Sequence, residues 1–285
     1  MANLKDIRNR IKSIKSIQQV TGAMKMVAAA KMRRAQENME KTRPYSSKLA
    51  ELLNELIPSI DRKLMPELVV RPVNKTLFVV ITADRGMAGA FNTNVLKEAH
   101  KTIDSIGSEN VDIICIGKKA YGYFKHRNYP IILDYIDFWN TLSYDDAMNL
   151  GNEIITRYIN GDVDQVNIIY NRFINVARQE IKNEIFLPIN NSEQDSKTYR
   201  TEKLFEPSKQ KVVESIIPRY LNTQIWQFLL ESNASEQAAR MLAMENATTN
   251  AQDLIKDLKL QFNKARQSAI TTEMLEIVSG AEALS

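Results

Sequence analysis

The C-terminal part of the chain contains a long segment in which nothing would stop a helix. From Tyr220 to Ala281 there is no proline, and Gly280 is the only glycine. A helix over this segment would be roughly 90 Å long, whereas the mean soluble helix has only about 11–12 residues. A single helix cannot bury its own apolar stripe, so we expect it to need a partner along most of its length.

The first 57 residues can supply that partner. Apolar positions recur there about every 3.5 residues, which is the heptad period of a left-handed coiled coil. Pro44 permits a kink, and Pro58 ends the predicted helix. The positions are Leu4, Ile7, Ile11, Ile14, Ile17 or Gln18, Thr21, Met24, Ala28, Lys31 or Met32, Ala35 and Met39.

The middle of the chain has a different period. After a proline-containing linker over residues 59–74, β-branched runs alternate with helical patterns, which predicts a mainly parallel, Rossmann-like α/β sheet. The predicted strands are 75–82, 111–116, 131–136 and 163–173, the predicted helices end near 106, 127 and 158, and 175–189 is predicted to add an antiparallel arm. Residues 190–210 are polar and are predicted to be irregular.

The resulting prediction combines an α/β domain with a long antiparallel α-helical coiled coil. The two terminal helices must run antiparallel if they pair, because the inserted domain returns the chain to its start. The predicted segments are 1–58 for the N-terminal helix, 59–74 for the linker, 75–206 for the α/β domain and 207–285 for the C-terminal helix.

Charge is distributed unevenly along the sequence. Residues 1–48 carry twelve Lys/Arg and three Asp/Glu, a net charge of +9, and the remainder carries 26 and 31, a net charge of −5. A basic helix joined to a mildly acidic body suggests an acidic partner surface, although any single lysine is better explained by a solvated helix face. No apolar run approaches the ~18 residues of a membrane span, so we expect no direct membrane insertion.

Few residues are candidates for catalysis or for binding a ligand or metal. The turn over residues 84–89 follows a strand and precedes a helix, where phosphate-binding turns are found, but it has neither the dinucleotide nor the P-loop spacing, so a structural turn is favoured. His100 and His126 have no neighbouring ligands at metal-site spacing. Cys115 lies in a predicted buried strand and is expected to pack. We therefore predict no catalytic residues, metal or cofactor.

Three interpretations fit these sequence features. The first is a shaft or lever in a larger machine, and the second is an α/β ligand-binding enzyme that dimerises through helical arms. The third is a basic coiled coil on nucleic acid, which ranks last because the basic stretch has no interleaved aromatic residues. The apolar C-terminal tip (Met274, Leu275, Ile277 and Val278) implies an apolar sleeve in another molecule.

Several blocks of sequence resemble the gamma-subunit family of F-type ATP synthases, and the resemblance covers nearly the whole chain. It is carried by LKDIR at 4–8, AMKMVAAA at 23–30, TADRG at 82–86, ASEQAARMLAM at 234–244, NKARQ at 263–267 and ITTEMLEIVSGA at 270–281. The last block is similar to the family signature and is very specific.

The resemblance implies a rotor without a catalytic site of its own. The terminal helices would form an asymmetric coiled coil in the cavity of a ring of three alpha and three beta subunits. The α/β body would bind the epsilon subunit and the membrane c-ring. Proton flow would turn this shaft and drive the catalytic beta subunits through their nucleotide-binding states.

The resemblance also implies partner contacts for particular residues. Arg266 and Gln267 match the family's contacts to a beta-subunit loop, and Met24 and Lys25 match the shaft zone that faces an acidic lever of the beta subunit. Arg33 and Arg34 are added on charge alone, and the tip residues named above are expected in the bearing. Gly22 stands where the family often has lysine, which puts one basic contact in doubt.

The N-terminus is basic and amphipathic, which raises the possibility of a transit peptide. Asp6 breaks the acid-poor pattern of such peptides, and the heptad periodicity continues well past residue 30. The expected location is therefore the cytoplasmic face of a bacterial plasma membrane, peripherally bound, in preference to the mitochondrial matrix side.

Overall fold

A computed structural model of the chain describes residues 4–189, 206 and 208–282. These residues form five α-helices, with bounds α1 Leu4–Leu56, α2 Phe91–Ile106, α3 Lys118–Lys125, α4 Tyr144–Asn160 and α5 Lys209–Glu282. They also form five strands, with bounds β1 Thr76–Ile81, β2 Val111–Ile116, β3 Ile131–Tyr135, β4 Gln165–Phe173 and β5 Gln179–Leu187.

Both terminal helices form where the sequence predicts them, and α5 is longer than the proline-free segment. α1 continues through Pro44 and ends two residues before Pro58, which lies in a short 3₁₀ turn. α5 begins earlier than the proline-free segment and contains Pro218 within it. Ser208 precedes this helix, and its hydroxyl oxygen accepts a hydrogen bond from the Lys211 amide at 3.4 Å. A proline inside a helix removes one backbone donor, but both helices continue past it.

The five strands form one sheet in the order β3-β2-β1-β4-β5. β1 pairs in parallel with both β2 and β4, and β2 pairs in parallel with β3. β5 is antiparallel to β4, with Tyr170 opposite Lys182. The mainly parallel sheet and its antiparallel arm are therefore confirmed. β1 and β2 are buried at every position, as expected for parallel strands covered on both faces.

Alternate residues of the central strands enter two separate cores. Leu77, Val79 and Ile81 face a large cluster that includes α4, the end of α1 and the first half of α5. Phe78 and Val80 face a smaller cluster with α2 and α3. The period of two along a strand sends successive side chains to opposite faces of the sheet, so each core draws on every second residue.

The predicted linker over 59–74 is packed more closely than the sequence suggested. It contains 3₁₀ turns at Arg62–Leu64 and Pro66–Leu68. Met65 and Leu68 are only 3% exposed and belong to the large core cluster. The burial of these apolar side chains holds the segment against the core, a property that its proline content did not predict. Of the predicted irregular region 190–210, residues 190–205 and 207 lie outside the described residues, and Lys209 and Gln210 are helical.

Contacts between residues divide the chain into two compact units. Unit 1 comprises Met1–Ala28 with Arg240–Ser285, and unit 2 comprises Ala29–Ala239. This division falls within α1 and α5, whereas the predicted segment boundaries at 58, 74 and 206 follow changes in sequence pattern. Those boundaries stay a prediction.

Candidate functional site: the paired terminal helices

In unit 1, α1 and α5 pair in opposite directions. The Arg8 guanidinium lies 5.5 Å from the ring centroid of Phe262, and the Lys25 ammonium lies 2.7 Å from Glu245 Oε1. As the residue number rises along α1, the number of its partner on α5 falls. The predicted antiparallel arrangement is therefore confirmed.

The seam of unit 1 contains polar as well as apolar layers. Thr21 Oγ1 and Thr248 Oγ1 share a hydrogen bond of 2.8 Å, and Thr248 Oγ1 is also 2.7 Å from the Met244 carbonyl. The buried apolar side chains in the described part of the unit are few, and two of them are alanines: Ile7, Ala28, Met244, Ala251 and Leu258. A seam of this kind stabilises the helix pair less than continuous leucine layers would.

The structure settles the two ambiguous positions of the α1 stripe. Ile17 is 54% exposed and Gln18 is half-buried, so Gln18 faces the seam. Met32 is half-buried and Lys31 is exposed, so Met32 occupies the other position. Steps of seven residues from Ile11 reach positions 18 and 25, so heptad spacing favours Gln18 for the seam although Ile17 is more apolar.

The predicted contact residues of α1 differ in their surroundings. Met24 is half-buried. Lys25, with 38% of its side chain exposed, is paired with Glu245 and so has an intramolecular partner. Arg33 is exposed, with its Nε 3.2 Å from Glu37 Oε1 one turn along the helix, and Arg34 is also exposed.

The end of α5 is uncovered. Every residue from Arg266 to Ala281 is exposed, and this range includes Arg266 and Gln267 themselves. The tip residues are among the most exposed large apolar side chains of the described chain: Met274 64%, Leu275 61%, Ile277 66% and Val278 61%. An apolar stretch left open in this way marks an interaction surface.

A second apolar stripe on α1 was missed by the sequence analysis. Ile17, Val20 and Val27 are 54%, 57% and 57% exposed, and with half-buried Met24 they follow steps of three, four and three residues. Steps of this size place the four on one helix face. The sequence does contain this stripe, as apolar residues at helical spacing next to the seam positions. It was missed because Ile17 was considered only as a seam residue.

The turn over residues 84–89 is used by the chain itself. Asp84 Oδ1 accepts a hydrogen bond from the Lys118 amide at 2.9 Å, and Thr82 Oγ1 accepts one from the Ala120 amide at 2.9 Å. Asn92 Oδ1 accepts one from the Ala83 amide at 2.9 Å. Asp84 and the neighbouring Thr82 therefore satisfy amides in the first turn of α3, and Asn92 of α2 holds the backbone at Ala83, which gives these polar residues structural roles.

Two of the other candidate groups, His100 and Cys115, are also placed in ways that do not favour chemistry. His100 Nδ1 lies 3.1 Å from the Tyr129 hydroxyl, and its Nε2 lies 3.2 Å from Asp104 Oδ2. Burial, with a contribution from the nearby Asp134, raises the pKa of the Cys115 thiol to about 12, so the nucleophilic thiolate is disfavoured. Across residues 4–189, 206 and 208–282, no group of three His, Cys, Asp or Glu side chains is placed to hold a metal ion.

None of the helices in the described part of the chain has an apolar stretch long enough to cross a membrane.

Comparison with known proteins relates the whole chain to one family. The family model described as ATP synthase matches residues 3–284. The ATP synthase gamma chain of Prosthecochloris aestuarii is 47% identical over 290 residues, which cover 100% of this chain and 99% of that one. The gamma chain of Chlorobium chlorochromatii is 45% identical over 291 residues with the same coverage.

Solved structures show the same fold. A chain in the rotor of the Euglena gracilis mitochondrial ATP synthase superimposes with a TM-score of 0.66 at 24% identity, covering 94% of this chain and 98% of that one. A chain in another rotational state of the Euglena enzyme gives a TM-score of 0.70 at 24% identity, covering 99% and 94%.

Proposed function

The chain belongs to the ATP synthase gamma chain family, and from this premise we propose how its parts serve the enzyme complex. It is the central-stalk rotor subunit, which transmits torque between the proton-driven membrane ring and the catalytic beta subunits. Its partners are the alpha and beta subunits, the c-ring and, by family resemblance, the epsilon subunit. The observation that carries this conclusion is the full-length relation to gamma chains, combined with the antiparallel pairing of α1 and α5.

We also propose that the chain contributes no catalytic site of its own, since the candidate residues in its described part have structural roles. Asp84 and Thr82 are used to cap a helix, His100 is held by Tyr129 and Asp104, and Cys115 is buried. Nucleotide chemistry is left to the beta subunits. The competing interpretation, an enzyme that dimerises through helical arms, would need α1 to pair with a second copy, but α1 pairs with α5 of the same chain.

The beta subunits are contacted by two sets of residues. Arg266 and Gln267 are exposed on α5 and can donate hydrogen bonds to acidic side chains of a beta-subunit loop. On α1, Met24 and Lys25 face the acidic lever of the beta subunit, and the exposed stripe of Ile17, Val20 and Val27 supplies apolar contact area there. Arg33 and Arg34 add positive charge.

The tip of α5 turns in an apolar sleeve of the alpha–beta ring. Met274, Leu275, Ile277 and Val278 are 61–66% exposed in the chain alone, and burial in the ring removes this apolar surface from water. The polar layers of the unit 1 seam suit a shaft that must slide past the ring walls, because strong apolar anchoring outside the tip would impede turning.

The subunit is peripheral on the cytoplasmic face of a bacterial plasma membrane, as part of the synthase. Relatives at 45–47% identity come from bacteria. Contact with the membrane is made through the c-ring.

Reconstitution tests the proposed role. Mixing the full chain with alpha and beta subunits is expected to give a complex of three alpha, three beta and one gamma subunit, measured by native mass spectrometry. The purified chain alone is expected to show no ATP hydrolysis. Turnover by the chain alone would support the enzyme interpretation, and failure to form the 3:3:1 complex would contradict the rotor assignment.

A further inference from the structure

Glu231 is a carboxyl group buried on α5 in unit 2, with only 7% of the residue exposed. One of its oxygens, Oε1, accepts a hydrogen bond from Gln227 Nε2 at 3.0 Å. The other oxygen, Oε2, is buried and has no hydrogen-bond partner among the described residues. A buried anion with one donor is far more costly than a buried neutral acid, which can donate a hydrogen bond itself.

A small cavity lies beside this carboxyl group, between α1 and α5. Its volume is about 10 Å³, close to the space that a single water molecule needs. The lining consists of three residues from each helix: Met39, Thr42, Arg43, Gln227, Leu230 and Glu231. The site is polar enough to hold a water and too small for a larger ligand.

The charged neighbours of Glu231 come from three elements. Burial is the largest influence and raises its pKa, and Glu184 on β5 adds to the rise. The hydrogen bond from Gln227, Arg172 on β4 and Arg43 on α1 lower the pKa, without reversing the direction of the shift. Both arginines are exposed, so water screens their charges, while the carboxyl group is not hydrated from outside.

The remaining titratable neighbour is Tyr170 on β4. Its hydroxyl donates to Glu184 Oε1 at 3.3 Å, which leaves it committed to a different carboxylate. Burial raises the pKa of Tyr170, and Glu231 and Glu184 raise it further, so the phenol stays neutral. No group on β4 or β5 therefore supplies the second donor that an ionised Glu231 would need.

We propose that Glu231 binds a proton when the chain folds, so that the α1–α5 seam of unit 2 contains a neutral carboxyl group. Its Oε2 carries the hydrogen and donates it to a single water in the cavity beside Arg43. Folding then takes up one proton, which makes the seam sensitive to pH. This property is independent of the rotor role.

The sign of the pH dependence follows from the raised pKa. Between the unfolded value, about 4.3 for glutamate, and the folded value, the folded chain binds more protons than the unfolded chain. The stability contributed by this group is therefore fully present below about pH 4.3 and is lost as pH rises to the folded pKa. One proton changes the unfolding equilibrium constant about tenfold per pH unit in this window.

Replacing the acid by its neutral isostere tests the proposal. Glu231→Gln keeps the shape and removes the titration. Urea unfolding of the full chain is followed by the fluorescence of Trp139 and Trp226, both in unit 2. The ratio of the wild-type to the variant unfolding constant is expected to rise by up to about tenfold per pH unit above about pH 4.3, and then to level off.

The matched control is Glu276→Gln, which removes an exposed carboxylate of the same helix and reports the effect of the charge alone. A ratio for Glu231→Gln that is constant with pH, or that falls as pH rises, overturns the proposal. A falling ratio would mean that the carboxylate is stabilised as an anion by Arg43 or Arg172.

Infrared spectroscopy of the wild-type full chain provides a second measurement that needs no variant. The carbonyl band of a protonated carboxyl group is expected to persist to higher pH in the folded chain than the ordinary ionisation of exposed glutamates near pH 4.3 allows. It should disappear when urea unfolds the chain. Absence of this band from the folded chain overturns the proposal even if the glutamine variant fails to fold.

Discussion

At the scale of single residues, the packing of unit 2 depends on positions where an added side-chain atom would collide with a neighbouring side chain. Gly151 in α4 lies against α5, and a Cβ atom built there would stand 2.0 Å from Asn222 Oδ1. Asn222 is buried, and its Nδ2 donates to Asn152 Oδ1 at 3.2 Å. A Cβ atom at position 151 would therefore force the buried Asn222 side chain to move, although the Asn222 Cα, at 3.6 Å, would remain at ordinary contact distance.

Gly151→Ala is expected to destabilise the chain by about 1–3 kcal/mol, the usual cost of overpacking a filled core. Urea unfolding measures the change. Gly122→Ala is the control, because no atom lies within 4 Å of the added Cβ in α3 and alanine is up to about 1 kcal/mol more favourable than glycine in a helix. Equal effects of the two substitutions would contradict the packing explanation.

At the scale of elements, local signals fix where some helices begin. Ser143 is the N-cap of α4, and its Oγ accepts a hydrogen bond from the Asp146 amide at 3.4 Å. Asp146 Oδ2 accepts one in return from the Ser143 amide at 2.9 Å. This reciprocal pair is a capping box, which satisfies two amides that the helix leaves free.

Ser143→Ala removes one side of that box and is expected to lower the free energy of unfolding by about 1 kcal/mol. Thermal or urea unfolding of the full chain measures it. Ser268→Ala, an exposed position inside α5, should leave stability nearly unchanged. A loss of the same size at both positions would show that the cap contributes nothing specific.

The seam of unit 1 offers a second test at this scale. Lys25 and Glu245 join α1 to α5 across 2.7 Å. If this internal pair is what the shaft needs, Lys25→Glu or Glu245→Lys alone should reduce ATP-driven proton pumping in the assembled complex. The double reversal should restore it, since the attraction is the same with the charges exchanged.

The outcome separates two roles for Lys25. Failure of the double reversal to recover pumping, with normal assembly, would mean that the lysine acts on the beta subunit instead of on Glu245. Lys256→Glu serves as the control, because its ion pair with Asp253 lies within one exposed turn of α5 and exposed pairs contribute little.

At the scale of the whole molecule, the apolar end of α5 is unexplained by the chain alone. Met274, Leu275, Ile277 and Val278 touch nothing that buries them, and replacing all four with serine is expected to leave the unfolding midpoint of the isolated chain nearly unchanged. The same replacement should weaken assembly with alpha and beta subunits, measured as the yield of the 3:3:1 complex.

A contrasting variant has serine at four buried core positions, such as Leu77, Val79, Ile114 and Ile116. This variant should not fold. If the tip variant assembles normally and couples hydrolysis to pumping as well as wild type, the proposed bearing is not at these residues.

Much of the architecture could be predicted from the sequence because its signals are local and repeated. Heptad spacing from Leu4 to Met39 predicted α1, and the absence of helix breakers after Tyr220 predicted most of α5. The run from Val111 to Ile116 predicted β2 with its bounds. These patterns depend only on the periods of 3.5 and 2, which each stretch of chain carries by itself.

Other features required the folded chain. The sequence left Ile17 and Gln18 as alternatives for the seam, because apolar character favours Ile17 and heptad spacing favours Gln18, and burial against α5 decides for Gln18. Nothing local showed that Glu231 has a free oxygen beside a cavity, or that Lys25 meets Glu245. These properties join residues up to 220 positions apart, and their energies depend on distance and burial, which sequence periodicity does not contain.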